Sequence, residues 1–287
     1  MSATITASQV KQLRDATQAG MMDAKKALVE TNGDFDAAVK LLREKGIAKA
    51  GKLGDRGTTE GRVGYEQSGN VAALVLVGCN TDFVAINDDF GVFVSKVAHH
   101  VLEHEPETVD QMLEQEWVDS GTVENARSEA SATTGENIVI AKIARLDAGD
   151  TGIVGHYLHG TGIGVIVEVE GPDNEAVQKF ATDVAMHAAA SSPQYTFRSE
   201  VPEAAVEAER EIYITQVADK PEAIRGKIAE GKINKWFGEI ALVEQPWIFA
   251  KDRLGKDLTI EEYAAHVSKE IGATVKVRNF ARLAVKS

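Results

Sequence analysis

The fold of this chain is decided by the apolar run VAALVLV at residues 71–77 and by the turn NTDFVA at residues 80–85 that follows it. The run is short, rich in β-branched residues and bounded by glycines at 69 and 78, which predicts a buried strand. The turn then presents Phe83. The local pattern leaves two interpretations open: Phe83 turns inward and begins the next helix, or it stays exposed as a plug that docks into a partner.

A weak internal repeat surrounds this segment. A second apolar run, at residues 163–169, also precedes a helix, and both helices carry the spacing F-x-x-x-V-A-x-H, at residues 93–100 and 180–187. This spacing places Phe, Val and His on one face of each helix. Two strand–helix units of this kind predict a duplicated α+β core.

The two copies differ in the connection between strand and helix. The first connection is three residues longer, and the extra residues fall at 81–83, whereas the second copy has only GPDN at residues 171–174. A repeated scaffold that carries an aromatic insertion in one copy does not need that insertion in order to fold. The comparison therefore favours the docking interpretation of Phe83.

Composition narrows the class of protein. The 287 residues suffice for two or three modules, and the net charge of −13 disfavours direct binding to nucleic acid or to an anionic membrane. Neither apolar run is long enough to span a bilayer. The single cysteine, Cys79, excludes an internal disulfide, and the N-terminus shows no secretory pattern, so we expect a cytoplasmic protein.

The sequence predicts mainly helices in the regions outside the core. The first 46 residues predict three short helices, with Ser8 and Asp34 as N-caps and Gly46 as the final C-cap. The glycine-rich residues that follow predict a linker. Beyond Pro202, helices near 203–218 and 221–242 predict an αα-hairpin that needs a partner, before a helix near 259–270 and a last strand from 274.

No part of the chain predicts a nucleotide or cofactor site. The sequence has no G-x-x-x-x-G-K-[ST] loop, and the glycines at 160, 162 and 164 enter a strand rather than connect a strand to a helix. We therefore expect no bound nucleotide, no cofactor and no metal.

One enzymatic alternative remains, a zinc-dependent peptidase built on His100-Val101-Leu102-Glu103-His104, which matches the pattern H-x-x-E-H. Three observations count against it. Pro106 ends the helix directly after the motif, the equivalent His187 of the repeat has no second histidine, and so short a motif arises easily by chance. Cys79 has no visible base. We expect a protein that is not an enzyme.

Several motifs together resemble one family. They are LRDAT at 13–17, GMMDAKKAL at 20–28, NTDFV at 80–84, HG at 159–160, MHAAA at 186–190, EGKINK at 230–235 and EQP at 244–246. These segments, which span the chain, resemble the bacterial elongation factor Ts family. The resemblance implies a guanine nucleotide exchange factor that binds elongation factor Tu in its GDP-bound and nucleotide-free states during translation elongation.

The resemblance also implies an α+β protein with antiparallel sheets in its duplicated core. The expected parts are a ubiquitin-associated-like three-helix domain (1–50), a linker (51–62), core subdomain N (63–147), core subdomain C (148–200 and 243–287) and an inserted helical hairpin (201–242). The hairpin mediates dimerisation in some members, which leaves a homodimer open. Some members carry a further helix after the last strand, so we expect the contacts of such a helix to be missing here.

Partner-binding residues follow from the same resemblance. Asp82 and Phe83 would insert near the switch region and magnesium site of the GTPase, in a loop completed by Thr81 and Val84. The residues that would contact the GTPase domain from the N-terminal helices are Arg14, Met21 and Met22. The alternative for the two methionines is the core of the helical bundle.

Overall fold

A computed structural model describes residues 5–17, 19–53, 57–118 and 120–286, without the side chains of residues 47–52. The chain divides into two units. The first comprises Met1–Tyr65, Val75–Ile143 and Ala284–Ser287, and the second comprises Glu66–Leu74 and Ala144–Leu283. Within the described residues, no helix combines the length and the apolar character needed to cross a bilayer.

The N-terminal region forms the three predicted helices, α1 (Ala7–Thr17), α2 (Met21–Glu30) and α3 (Phe35–Leu53). Their shared core is small and includes Leu13, Leu28 and three alanines, at 24, 27 and 38, which allow the helices to approach closely. Asp34 caps α3 as expected, because its Oδ1 accepts the N–H of Ala37 at 2.9 Å.

The predicted cap of the first helix was wrong by two residues. Thr6, not Ser8, stands before α1: its hydroxyl accepts the N–H of Gln9 at 3.3 Å, and the Gln9 side chain accepts the N–H of Thr6 at 2.9 Å. This reciprocal arrangement satisfies two donors at the helix start, whereas a cap at Ser8 would satisfy one.

The segment from residue 60 to residue 147 is built around a buried strand. Its elements are β1 (Glu60–Ser68), β2 (Val71–Cys79), α4 (Asp82–Ala85), α5 (Asp88–His104), α6 (Val109–Glu114), β3 (Glu116–Trp117), β4 (Gly121–Thr122), α7 (Val123–Thr134) and β5 (Val139–Asp147). The strand order β1-β2-β5 places β2 in the centre, and all its residues after Val71 are buried. The predicted buried strand is confirmed.

Tertiary packing overrides the predicted end of α3. The helix passes through Gly46 and continues to Leu53, so the predicted C-cap at Gly46 was wrong. A Cβ at Gly46 would lie 3.2 Å from the Cβ of Ala132 on α7, and Arg43 Nε lies 2.6 Å from Glu129 Oε1. Glycine is used here for close contact between two helices rather than for a left-handed cap. Of the predicted linker, residues 54–56 lie outside the described residues.

The second unit contains the second copy of the repeat and the hairpin. Its elements are β6 (Gly152–His159), β7 (Ile163–Glu170), α8 (Glu175–Ser191), α9 (Glu203–Gln216), α10 (Glu222–Ile240), α11 (Ala250–Leu254), α12 (Ile260–Ile271) and β8 (Lys276–Ala284). The strand order is β6-β7-β8, and β6 pairs with β7 in antiparallel register, with Gly155 opposite Val167. The helical hairpin and the α+β class are confirmed.

Both copies of the repeat depend on a glycine in their first strand. A Cβ added to Gly64 would lie 2.8 Å from the carbonyl oxygen of Val94 on α5. One added to Gly155 would lie 2.5 Å from the Cβ of Ala181 on α8. Val94 and Ala181 each follow the phenylalanine of the F-x-x-x-V-A-x-H spacing. In both copies the helix therefore crosses its strand where only a glycine leaves room.

The repeated histidines also have equivalent partners. The Nε2 atoms of His100 and His187 each lie 2.9 Å from a glutamine Oε1, that of Gln115 and that of Gln245. His187 is fully buried, and its Nδ1 accepts the N–H of Ile248 at 3.3 Å. Since Nδ1 is an acceptor, the single proton of the neutral ring is on Nε2, which donates to Gln245.

The crossing at Gly155 predicts a stability effect. Gly155→Ala should lower the free energy of unfolding by about 1–3 kcal/mol, because the added methyl group would overlap Ala181. Urea denaturation of the purified variant measures this. Gly162→Ala is the matched control, since nothing lies within 4 Å of its added Cβ, and it should change stability by about 0.5 kcal/mol or less. Equal stabilities of the two variants would contradict the proposed role of Gly155.

The neutral His187 predicts a pH effect. Burial lowers the pKa of the His187 imidazole, and this outweighs the opposite effect of its hydrogen bond to Gln245. Below about pH 6.5 the His187 imidazole binds a proton in the unfolded chain but stays neutral in the folded protein. The free energy of unfolding should therefore fall as the pH drops. Urea titrations at pH 7.5 and 5.5 should show a smaller loss for His187→Gln than for the parent; parallel losses would refute this assignment.

Candidate functional site

The turn after β2 carries four of the seven predicted partner-binding residues, namely Thr81, Asp82, Phe83 and Val84. Thr81 is the N-cap of α4, since its hydroxyl accepts the N–H of Val84 at 3.4 Å. The carboxylate of Asp82 accepts the N–H of Phe83 at 3.0 Å. Ala85 is buried and attaches this short helix to the unit.

Phe83 points into solvent and does not turn inward. Its side chain is 78% exposed, and Ile86 on the same turn is 68% exposed. The aromatic residue that enters the core at the start of α5 is Phe90, which is buried and whose N–H is accepted by Asn87 Oδ1 at 3.1 Å. Large apolar side chains this exposed and this close together are typical of interaction sites.

The apolar tip lies among carboxylates. Asp82, Asp88 and Asp89 are all exposed on the same short stretch of chain. The two residues of the first turn of α5, Asp88 and Asp89, also suit the positive end of that helix. The candidate site therefore offers an apolar plug bordered by negative charge.

Glu136 holds the turn from a distant part of the sequence. Its Oε2 accepts the N–H groups of Asn80 and Thr81 at 2.9 and 3.0 Å, and its Oε1 accepts the hydroxyl of Thr81 at 2.5 Å. Asn80 in turn accepts the N–H of Asn137 at 2.9 Å. Sequence reasoning missed Glu136, because it lies 55 residues from Thr81 and belongs to no motif. The one local signal is Gly135, whose φ of 75° turns the chain at the end of α7.

Cys79 lies beneath the turn, in surroundings that disfavour the reactive thiolate form. Its thiol is buried and donates to the carbonyl oxygen of Thr81 at 3.2 Å. Burial, with the nearby Glu136 carboxylate, raises the pKa of the Cys79 thiol to about 11. The thiol is therefore protonated at neutral pH, in agreement with its rejection as a nucleophile.

The residues predicted on the N-terminal helices form a second exposed group. Met21 and Met22 begin α2 and are 50% and 63% exposed, so neither fills the bundle core. The core around Leu28 contains neither methionine, so the alternative interpretation, in which they belong to the bundle core, was wrong. Arg14 on α1 is half-exposed, with Nη1 4.0 Å from Asp15 Oδ1.

The histidine motif of the peptidase alternative has no support. The rings of His100 and His104 stack with centroids 4.2 Å apart, and His100 Nε2 is engaged by Gln115. In the part of the chain that the structure describes, no three His, Cys, Asp or Glu side chains are placed to share a metal ion.

Comparison with known proteins gives one consistent result. The family model described as "Elongation factor TS" matches residues 80–287. The chain is 42% identical over 286 residues to elongation factor Ts of Clostridium kluyveri, covering 97% of this chain and 92% of that protein. It is 41% identical over 290 residues to elongation factor Ts of Trichlorobacter lovleyi, covering 97% and 91%.

A third relative is elongation factor Ts of Thioalkalivibrio sulfidiphilus, which is 42% identical over 287 residues, covering 98% of this chain and 92% of that protein. These matches extend over nearly the full length of each relative.

Proposed function

Since the chain belongs to the elongation factor Ts family, we propose that it promotes the release of GDP from elongation factor Tu during translation elongation. The observation that supports this most directly is the exposed Phe83 on a turn fixed by Glu136. Such an exchange factor is not an enzyme in the usual sense, because it changes no covalent bond.

The thermodynamics of exchange define what the site must do. The factor binds the nucleotide-free GTPase more tightly than the GDP-bound form, and by reciprocity it weakens GDP binding by the same ratio. Each tenfold acceleration of release needs about 1.4 kcal/mol of differential stabilisation. Burying Phe83 in a pocket of the partner would contribute about 1.5–3 kcal/mol, enough for roughly 10–150-fold.

The two exposed groups divide this work. Asp82 and Phe83 insert near the magnesium site and switch region of elongation factor Tu, where the carboxylate of Asp82 also disturbs the balance of charge around the metal. Thr81 and Val84 shape the loop that presents them. The group formed by Met21, Met22 and Arg14 contacts the GTPase domain and supplies affinity. Both the GDP-bound and the nucleotide-free partner are bound.

The remaining regions have supporting roles in this proposal. The domain boundaries stay a prediction: residues 1–50, 51–62, 63–147, 148–200 with 243–287, and 201–242. The hairpin, residues 201–242, offers exposed isoleucines at 212, 214 and 224 to a second copy of the chain. The protein acts in the cytoplasm, and its net charge of −13 disfavours direct contact with nucleic acid.

Phe83→Ala is expected to lower the maximal rate of GDP release by about 10–150-fold, because the variant loses the contact that stabilises the nucleotide-free partner. Release of a fluorescent GDP analogue from elongation factor Tu, at increasing factor concentrations, measures this rate. Val118→Ala is the control, since Val118 is an exposed apolar residue on another loop of the same unit. A folded Phe83→Ala variant with the maximal rate of the parent would contradict the proposed role of this loop.

Met21→Ala combined with Met22→Ala is expected to raise the half-saturating factor concentration by about tenfold and to leave the maximal rate unchanged. The same titration separates the two parameters. Val29→Ala, at an exposed position near the other end of α2, is the matched control. A reduced maximal rate at an unchanged half-saturating concentration would show that affinity does not reside in α2.

A further inference from the structure

We propose that Glu136 is a positioning residue for nucleotide exchange, which sets the orientation of Phe83 by holding the two residues before α4. The inference rests on the proposed exchange function and assigns a role to a residue outside the predicted site. Its basis is a set of contacts between one carboxylate and the start of the Phe83 turn.

The carboxylate of Glu136 is used almost to its capacity by this turn. It accepts two backbone N–H groups, from Asn80 and Thr81, and the Thr81 hydroxyl. An ionised carboxylate accepts about four hydrogen bonds, and bonds to a charged acceptor are stronger than neutral ones. All three donors belong to consecutive residues that lead directly into Asp82 and Phe83.

The helix that carries Phe83 cannot hold its own position. α4 has four residues, and a single turn is not stable alone in water. Among its residues only Ala85 is buried, and Val84 is half-buried. The orientation of the turn therefore depends on contacts made by its neighbours, and three of these are hydrogen bonds that Glu136 accepts.

Thr81 transmits the constraint. Its hydroxyl donates to Glu136 and accepts from the N–H of Val84, so the carboxylate, the cap and the first turn of α4 form one chain of hydrogen bonds. Loss of the carboxylate would leave the hydroxyl free to rotate away from Val84. The cap of α4 would then weaken together with the turn.

Glu136 is itself held firmly. Its N–H is donated to Thr134 Oγ1 at 3.3 Å, and the following residue, Asn137, donates its N–H to Asn80. Ile138 is fully buried, with its N–H on Ser131 Oγ at 3.1 Å and its carbonyl oxygen on Arg127 Nη1 at 2.7 Å. Hydrogen bonds made by Glu136 and by Ile138 thus connect this segment to α7, a helix that is not part of the partner-binding turn.

Fixing an exposed aromatic side chain has a functional consequence. A phenylalanine on a mobile turn would lose conformational freedom on insertion, and that loss would be subtracted from the stabilisation of the nucleotide-free partner. With the turn held in advance, more of the contact energy is available for GDP release. The effect should appear in the maximal rate more than in affinity.

The test is a double-mutant cycle on fluorescent GDP release from elongation factor Tu, with the parent, Glu136→Ala, Phe83→Ala and the double variant. Glu136→Ala is expected to lower the maximal rate about tenfold, with the half-saturating concentration changed by about twofold or less. The double variant should release GDP no more slowly than Phe83→Ala alone, because Glu136 acts through Phe83. Glu114→Ala, an exposed glutamate on α6, is the matched control.

Glu136→Gln should recover part of the lost rate, since its carbonyl oxygen can still accept the two backbone N–H groups. A merely destabilised variant would behave differently: it would reduce the amount of active protein, shift the half-saturating concentration and keep the maximal rate. That pattern would overturn the inference, as would losses that multiply in the double variant.

If Glu136→Ala does not fold, Thr81→Val tests the same chain of hydrogen bonds, because it replaces with a methyl group the hydroxyl that donates to Glu136 and caps α4. It should lower the maximal rate with little change in the half-saturating concentration; a maximal rate equal to that of the parent would overturn the inference. Failure of the proposed function looks different, because the parent protein would then not accelerate GDP release at all.

Discussion

The close approach of a helix to a strand at a glycine is the constraint on which both halves of the core depend. Gly64 admits Val94 of α5, and Gly155 admits Ala181 of α8, at distances that a methyl group would not allow. Glycine weakens a strand by itself, so the compensation comes from the helix that lies on it. Once the crossing is fixed, the phenylalanine, valine and histidine of each helix fall on the face that packs.

This shared frame explains why one copy can carry an extra element. The connection from β2 to α5 holds α4, whereas the connection from β7 to α8, residues 171–174, holds no helix. Because strand and helix are positioned by their own contact, the longer connection is free to project. Exposure of Phe83 and Ile86 to water is unfavourable, and the fold does not require it. Their exposure is consistent with selection for docking.

The candidate site combines rigid support with an exposed tip. Glu136 and Thr81 satisfy the backbone at the base of the turn, while Phe83 itself has no role in the core. The N-terminal bundle shows the same design on a smaller scale. Its small core consists of three alanines, two leucines and one valine, and the side chains of Met21 and Met22 remain outside it. In both regions the apolar surface left exposed lies on an element whose position is set by buried neighbours.

The sequence by itself determined the α+β class, the duplicated strand–helix unit, the helical hairpin and the exposure of Phe83. Each of these follows from local periodicity or from comparing two segments of the same chain. The end of α3 and the role of Glu136 were decided only by tertiary structure. Gly46 has the local signature of a cap, yet its contact with Ala132 keeps it in a helix, and Glu136 acts on residues that are distant in sequence. Local sequence patterns do not specify such contacts, because burial and hydrogen bonding depend on which segments lie close together in the folded protein.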